Sequence, residues 1–214
     1  MIKPRMTNEE IDALVEKYWK PINYNFADED FEHRFEEVSS GMMYSLIREY
    51  KPTNVVALGT SFGGSTLIIT AALLANKKPY KYLASEIADD LRKLTEEHVI
   101  KKYKVAPTLI GDLTEYADYP DEIDFLFHDT NHDLETTRWV FENIMPKVKK
   151  GALVIFHDWP VAEHASGEWV AKEGMWPETK YMLELKKKGK LPLEKVYFNW
   201  ELGSCLETGV FIKK

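Results

Sequence analysis

The apolar and polar positions change rhythm twice along the chain. Behind Thr7-Asn8-Glu9-Glu10, which has the spacing of a capping box, Ile11, Leu14, Val15, Tyr18 and Trp19 recur at helical intervals. Pro21 ends that helix, and a loop with Asn23 and Asn25 follows. A second helix is predicted from about Asp30 to Tyr50, with Phe31, Phe35, Val38, Met42 and Leu46 on one stripe and Pro52 closing it. From Asn54 the rhythm shifts to short, continuous apolar runs. Asn54–Leu58, Tyr82–Ser85, Pro107–Ile110, Ile123–Phe127 and Ala152–Phe156 read as buried strands. Helical patterns at Ser65–Ala75, Asp89–Tyr103 and Leu134–Val148 separate most of them, the last with Val140, Ile144 and Val148 in register. After Phe156 the rhythm breaks again. His157–Thr179 is rich in Trp, Gly, Glu and Pro and reads as an excursion. Tyr181–Lys188 is a short charged helix. Glu194–Phe198 and Thr208–Ile212 form an antiparallel hairpin around a Leu202-Gly203-Ser204 turn.

Strands alternating with helices mean βαβ units, hence an α/β fold with a parallel sheet and right-handed crossovers. Ligands of such sheets bind beyond the carboxyl ends of the strands. No linker divides the chain, which is expected to be one domain. Residues 1–50 are a helical cover, 51–158 a core, 159–180 a lid over the substrate, and 181–214 a helix and closing hairpin. Trp159, Trp169 and Trp176 supply the lid's aromatic surface, Gly167 and Gly174 its hinges, and His164 lies within it.

Composition narrows the classes of function. Apolar residues at 44% and charged residues at 29% describe an ordinary globular chain. The balance of 28 Lys+Arg against 35 Asp+Glu gives −7, which argues against a nucleic-acid partner. The longest apolar run, Leu67–Ala75, is far short of the ~20 residues a membrane span requires. Met1–Met6 has no apolar stretch behind its charges, and Cys205 is the sole cysteine; a reduced, cytoplasmic protein is expected. Enzymes and small-molecule binders are left, and a homo-oligomer is neither required nor excluded.

The first strand runs into Gly59-Thr60-Ser61-Phe62-Gly63-Gly64-Ser65-Thr66 and then a helix. Glycines let a ligand approach the backbone, and a helix start offers unpaired N–H groups. A Walker A loop would need a lysine, which is missing, and the dinucleotide spacing GxGxxG fails. Gly59-x-Ser61-x-Gly63 matches a nucleophile elbow, so a serine esterase using Ser61 is an alternative. Its context is wrong: helices, not strands, precede it, and no His-Gly-Gly-Gly oxyanion segment exists. The run Val55–Thr66 instead resembles the first motif of class I S-adenosylmethionine-dependent methyltransferases, and is closest to their small O-methyltransferase branch. The resemblance spans residues 51–158. It implies a Rossmann-like, doubly wound, mostly parallel seven-stranded sheet with a C-terminal antiparallel hairpin and N-terminal helices. It also implies S-adenosylmethionine as cofactor, its methionine part held by Gly59, Ser61, Phe62, Gly63 and Ser65. Where that family usually has an acid, two positions before the first glycine, this chain has Ala57.

The strand ends carry the remaining chemistry. Glu86 is placed to accept the ribose hydroxyls. By the resemblance, Asp112 stands near the adenine, and His128 is assigned to the cofactor too. The richest cluster is His128-Asp129-Thr130-Asn131-His132-Asp133 after the fourth strand and His157-Asp158 after the fifth. Metal-dependent O-methyltransferases bind a divalent cation with acids at these strand ends, which implies Asp129, His157 and Asp158 as ligands. His157 stands where an Asp is usual, and imidazole moves the preference from Mg toward Mn, Fe or Zn. Without metal, His132 or His157 is the base, with Asp129 beside them; His128 is a weaker candidate. The expected reaction is methyl transfer to a small-molecule hydroxyl. A non-catalytic cofactor-binding relative is the third alternative, suggested by Ala57 and His157.

Overall fold

The computed structural model describes residues 5–22, 37–163, 166, 168–171, 176–199 and 208–214; the side chains of Glu37, Ala162, Ala171 and Asn199 are not described. Phe31, Phe35, His164, Gly167, Gly174, the Leu202–Ser204 turn and Cys205 lie outside these residues. Among the described residues no helix is long and apolar enough to cross a membrane. Seven strands form a mostly parallel sheet, closed by an antiparallel hairpin. The chain comprises two compact units, residues 6–118 and residues 119–214 with the segment up to Arg5.

The first unit opens with α1 (Asn8–Tyr18). Its predicted capping box is complete: Glu10 N–H donates to Thr7 Oγ1 at 3.3 Å, and Thr7 N–H donates to Glu10 Oε2 at 3.1 Å. Helix α2 is described over Glu37–Tyr50 and buries Met42 and Leu46 of the predicted stripe, whereas Val38 is exposed. Strands β1 (Asn54–Leu58), β2 (Lys81–Ser85) and β3 (Thr108–Ile110) pair in parallel, with Ala57 opposite Ala84 and Ser85 opposite Ile110. Helix α3 (Gly64–Ala75) is apolar nearly all round and buried along most of its length. Helix α4 (Asp89–Tyr103) is rich in charge and buries only Thr95 and Val99.

In the second unit β4 (Ile123–His128) and β5 (Val148–Phe156) are parallel, so both carry their last residues to the same end. Strands β8 (Leu193–Asn199) and β9 (Thr208–Lys213) form the expected hairpin, with β9 antiparallel to β5. Two departures have clear causes. The helix predicted to reach Val148 is α-helical only over Leu134–Trp139 (α5), then widens to a π turn and tightens to a 3₁₀ turn. Pro146 cannot donate to an α-helical ladder, and Val148 already begins β5. Helix α6 starts at Pro177, before the predicted Tyr181, and runs to Lys187.

The segment 159–180, expected to cover the substrate, is described only in part. It contains a small hairpin, β6 (Val161–Glu163) with β7 (Trp169–Ala171). Trp159 is fully buried and packs edge-on against Phe211 and Trp169, with Phe156 and Phe198 completing the cluster. A Cβ at Gly209 would sit 2.7 Å from the Trp159 ring, so β9 needs glycine there. Of the three tryptophans expected on a lid, Trp159 is core and Trp169 packs on Phe198 and Phe211. Trp176 is exposed.

Candidate functional site

The glycine loop of the first unit is shaped by its backbone. Gly59 and Gly63 adopt φ of +83° and +93°, and Ser61 between them adopts +45°, a strained conformation for a residue with a side chain. Gly63 has a second reason to be glycine: a Cβ there would meet Thr95 of α4 at 3.0–3.2 Å, its backbone included. The loop is tied to the end of β2 by Glu86. Its Oε2 accepts the N–H of Ser61 at 2.7 Å and of Thr60 at 3.3 Å, while Oε1 accepts the N–H of Ala88 at 3.1 Å. Part of the donor set expected to meet a ligand is therefore already bound by this carboxylate. Oε1 keeps acceptor capacity for a further hydroxyl. Ser61 is exposed and Phe62 half-buried, while Ser65 is buried in the first turn of α3. The Ser61 carbonyl accepts from Thr95 Oγ1, so the backbone of Ser61 is committed to loop shape on both sides. Asp112 Oδ1 accepts from the N–H and hydroxyl of Thr114, capping the turn after β3.

The second unit holds a cluster built from side chains. Asp129 and His132 follow β4, and His157 and Asp158 follow β5, whose parallel pairing brings them together. One ligand atom each from Asp129, His132 and Asp158 lies within 4.8 Å of the others. His132 Nε2 is 3.3 Å from Asp158 Oδ2 and 3.9 Å from Asp129 Oδ1. His157 Nδ1 is 3.4 Å from Asp129 Oδ1 and 3.6 Å from Asp158 Oδ1. His132 and Asp158 both have positive φ, +57° and +50°, which costs about 1–3 kcal/mol each. Asp133 is set apart as the cap of α5, accepting the Thr136 N–H at 2.7 Å.

Sequence reasoning missed Glu178 altogether. It lies in the first turn of α6, fully buried, with Oε1 2.9 Å from His132 Nδ1 and Oε2 3.6 Å from His128 Nδ1. Trp176, two residues earlier, stacks on the His132 ring at 5.1 Å and 20°. The available signal was Pro177 followed by an acid, the composition of a helix first turn.

These contacts set the charge states. Burial works against the imidazolium of His132, but hydrogen bonds to Asp158 and Glu178 prevail and push it up to about 10. Burial opposes the charge of Asp158 too, yet the bond from His132 and the nearby His157 hold its carboxyl below the usual range. His128 is enclosed against Phe156, and burial lowers it, keeping it neutral.

A metal fits the donor set in kind: two carboxylates and one imidazole suit Mn, Fe or Zn better than Mg. His132 Nδ1, the ring nitrogen turned away from the two carboxylates, lies 2.9 Å from Glu178 Oε1. The expected trio named His157 in place of His132. The structure brings His132 into the group and leaves His157 beside it.

Residues 56–159 match the model of the Methyltransf_24 family, a methyltransferase domain. That span contains the glycine loop, Glu86, Asp112 and the whole cluster except Glu178. A curated relative, the uncharacterized protein y4gI of Sinorhizobium fredii, is 25% identical over 136 residues, covering 58% of this chain. The match spans only 15% of that protein's length. Among solved structures, the O-methyltransferase from Bacillus cereus in complex with SAH aligns over 94% of this chain and 91% of its own, at 15% identity and a TM-score of 0.64. An O-methyltransferase from Klebsiella pneumoniae, described as putative, aligns over 95% and 90%, at 16% identity and a TM-score of 0.62. TomG from Streptomyces achromogenes, bound to SAM, aligns over 98% and 92%, at 13% identity and a TM-score of 0.61. At these identities the likeness establishes the fold. The Ser61 esterase alternative finds no support, since the family match is to methyltransferases and the serine's backbone shapes the loop. Residues 56–159 are thus similar in sequence to a methyltransferase domain, and the chain has the Rossmann-like fold of the solved O-methyltransferases it aligns with.

Proposed function

We propose that the protein transfers the methyl group of S-adenosylmethionine to a hydroxyl oxygen of a small-molecule acceptor. The observation that carries this reading is the gathering of Asp129, His132 and Asp158 within the stretch that matches a methyltransferase domain. Gly59, Ser61, Phe62, Gly63 and Ser65 hold the methionine part of the cofactor. Glu86 accepts a ribose hydroxyl at Oε1 while its Oε2 keeps the loop in shape, and Asp112 stands toward the adenine. His128, enclosed in the core, has no contact with the cofactor in this reading.

The reaction is an in-line displacement. An acceptor oxygen forms a bond to the methyl carbon, the carbon–sulfur bond breaks, and sulfur keeps the electron pair as a neutral thioether. Holding oxygen and methyl in line contributes up to about 7–11 kcal/mol. The hydroxyl must also lose its proton. His132 is a poor base when metal is absent, because Asp158 and Glu178 hold it charged at neutral pH. It serves instead as a fixed cation beside the developing oxyanion. His157, with Nδ1 toward Asp129, takes the proton. Asp129, His132 and Asp158 would hold a divalent cation, whose chemistry there is to lower the acceptor's pKa.

Calorimetric titration with S-adenosylmethionine, followed by a panel of hydroxylated acceptors with and without chelator, tests the reading. Saturable binding and methylated product are expected. Absence of cofactor binding at high micromolar concentration contradicts it. Binding without turnover on any acceptor favours a non-catalytic relative.

A further inference from the structure

Glu178 lies outside the stretch that matches the methyltransferase domain, yet it is the most deeply buried acid of the cluster. A carboxylate fully removed from water costs several kcal/mol when it is uncompensated, so its partners are informative. Oε1 meets His132 Nδ1 at 2.9 Å, a full hydrogen bond across 46 residues of chain. Oε2 turns toward His128, 3.6 Å away, and neither ring nitrogen of His128 has a hydrogen-bond partner among the described residues. The same turn presents Trp176, stacked on the His132 ring. His132 is therefore gripped at one nitrogen and on one face by the start of α6. Its other nitrogen is left pointing at Asp158 and Asp129.

We propose that Glu178 is a positioning residue that accepts a hydrogen bond from the Nδ1–H of His132, fixing the ring so that Nε2 faces the Asp129 and Asp158 carboxylates. A carboxylate can only accept, so Nδ1 must carry the proton in both states of the ring. As an imidazolium, His132 then donates from Nε2 to Asp158. As a neutral ring it offers the Nε2 lone pair to whatever the two carboxylates hold. The helix that follows the excursion thereby fixes the orientation of a site residue after β4, within one compact unit. The proposal rests on the reading of this cluster as the reaction site.

The test is nitrogen-15 NMR of the histidine rings in the full chain, with His132 assigned by the loss of its signals in His132→Asn. In the wild type, Nδ1 is expected to be protonated and its proton to exchange slowly. Glu178→Gln keeps an acceptor oxygen and is expected to retain that proton. Glu178→Leu fills the space without an acceptor, and exchange is expected to accelerate about tenfold or more, as the loss of one charge-assisted hydrogen bond implies. A bare Nδ1 in the wild type overturns the proposal even if the leucine variant fails to fold. A folded leucine variant with an unchanged His132 ring overturns it as well. In turnover assays the leucine variant should lose kcat by about 10–100-fold with cofactor affinity retained, and the glutamine variant should recover part of it. The ring measurement needs no turnover. Absence of methyl transfer would therefore count against the methyltransferase reading alone, and an indifferent ring against the positioning role alone.

Discussion

The glycine loop of the first unit and the acid–histidine cluster of the second are built on opposite principles. The loop is a backbone device: its functional groups are N–H donors, its shape comes from positive φ at Gly59, Ser61 and Gly63, and one carboxylate, Glu86, ties it down. The cluster is a side-chain device. Its groups come from the ends of β4 and β5 and from the start of α6, and their mutual contacts set their charges. A site of the first kind should fail through conformation and stability. A site of the second kind should fail through chemistry while the fold persists.

The sharpest break is expected in the cluster. Asp129→Ala or Asp158→Ala should lower turnover by about 10²–10⁴-fold, the range for losing a positioned acid–base group. Both side chains are partly exposed, at 24% and 31%, so the fold should survive and cofactor affinity should stay unchanged. Steady-state kinetics beside calorimetry separates the two. In the loop, Gly63→Ala forces a side chain into φ +93° and against the Thr95 backbone. It should destabilise the protein by about 1–3 kcal/mol in chemical denaturation and weaken cofactor binding at the same time. Glu86→Ala leaves the N–H groups of Thr60 and Ser61 without their acceptor and should cost about 2 kcal/mol, again with weaker binding.

A smaller effect follows from charge. In chelator-treated protein His132 is raised to about 10 by Asp158 and Glu178. The stability it contributes is therefore complete below its unfolded pKa of about 6.5 and is lost as pH rises from there through about 10. Asp158, held low, acts in the opposite sense: its contribution is present above the ordinary carboxylate range and fades as pH falls through its depressed value. Denaturation midpoints measured across pH should decline on the alkaline side, and His132→Asn should flatten that decline. An unchanged alkaline limb in the variant would show that the charged network of the cluster does not form.

The same contrast decides what could be read from the sequence. The loop is local: a buried strand, a Gly59-x-x-x-Gly63-x-Ser65 run and an apolar helix follow one another, so strand and turn were legible together. Asp129 and Asp158 were legible because parallel strands bring their ends together whatever the details. Glu178 was not, because its partner lies 46 residues away and burial of a lone acid leaves no local pattern. Its helix was placed too late because Trp176-Pro177-Glu178 resembles the loop before it. Trp159 misled for a related reason. A tryptophan in a polar, glycine-rich stretch looks like surface, and only the path of β9, with Gly209 beneath the ring, shows it to be core. His132 joins Asp129 and Asp158 in one group with a positive φ that is invisible in composition.

The division of labour between the two regions is tested most directly by titrating S-adenosylmethionine into wild type, Glu86→Ala and Asp158→Ala by calorimetry. The account predicts saturable binding to the wild type, affinity weakened about tenfold or more in Glu86→Ala, as a lost charge-assisted contact implies, and affinity unchanged in Asp158→Ala. Equal weakening in both variants, or no binding to the wild type, would contradict it.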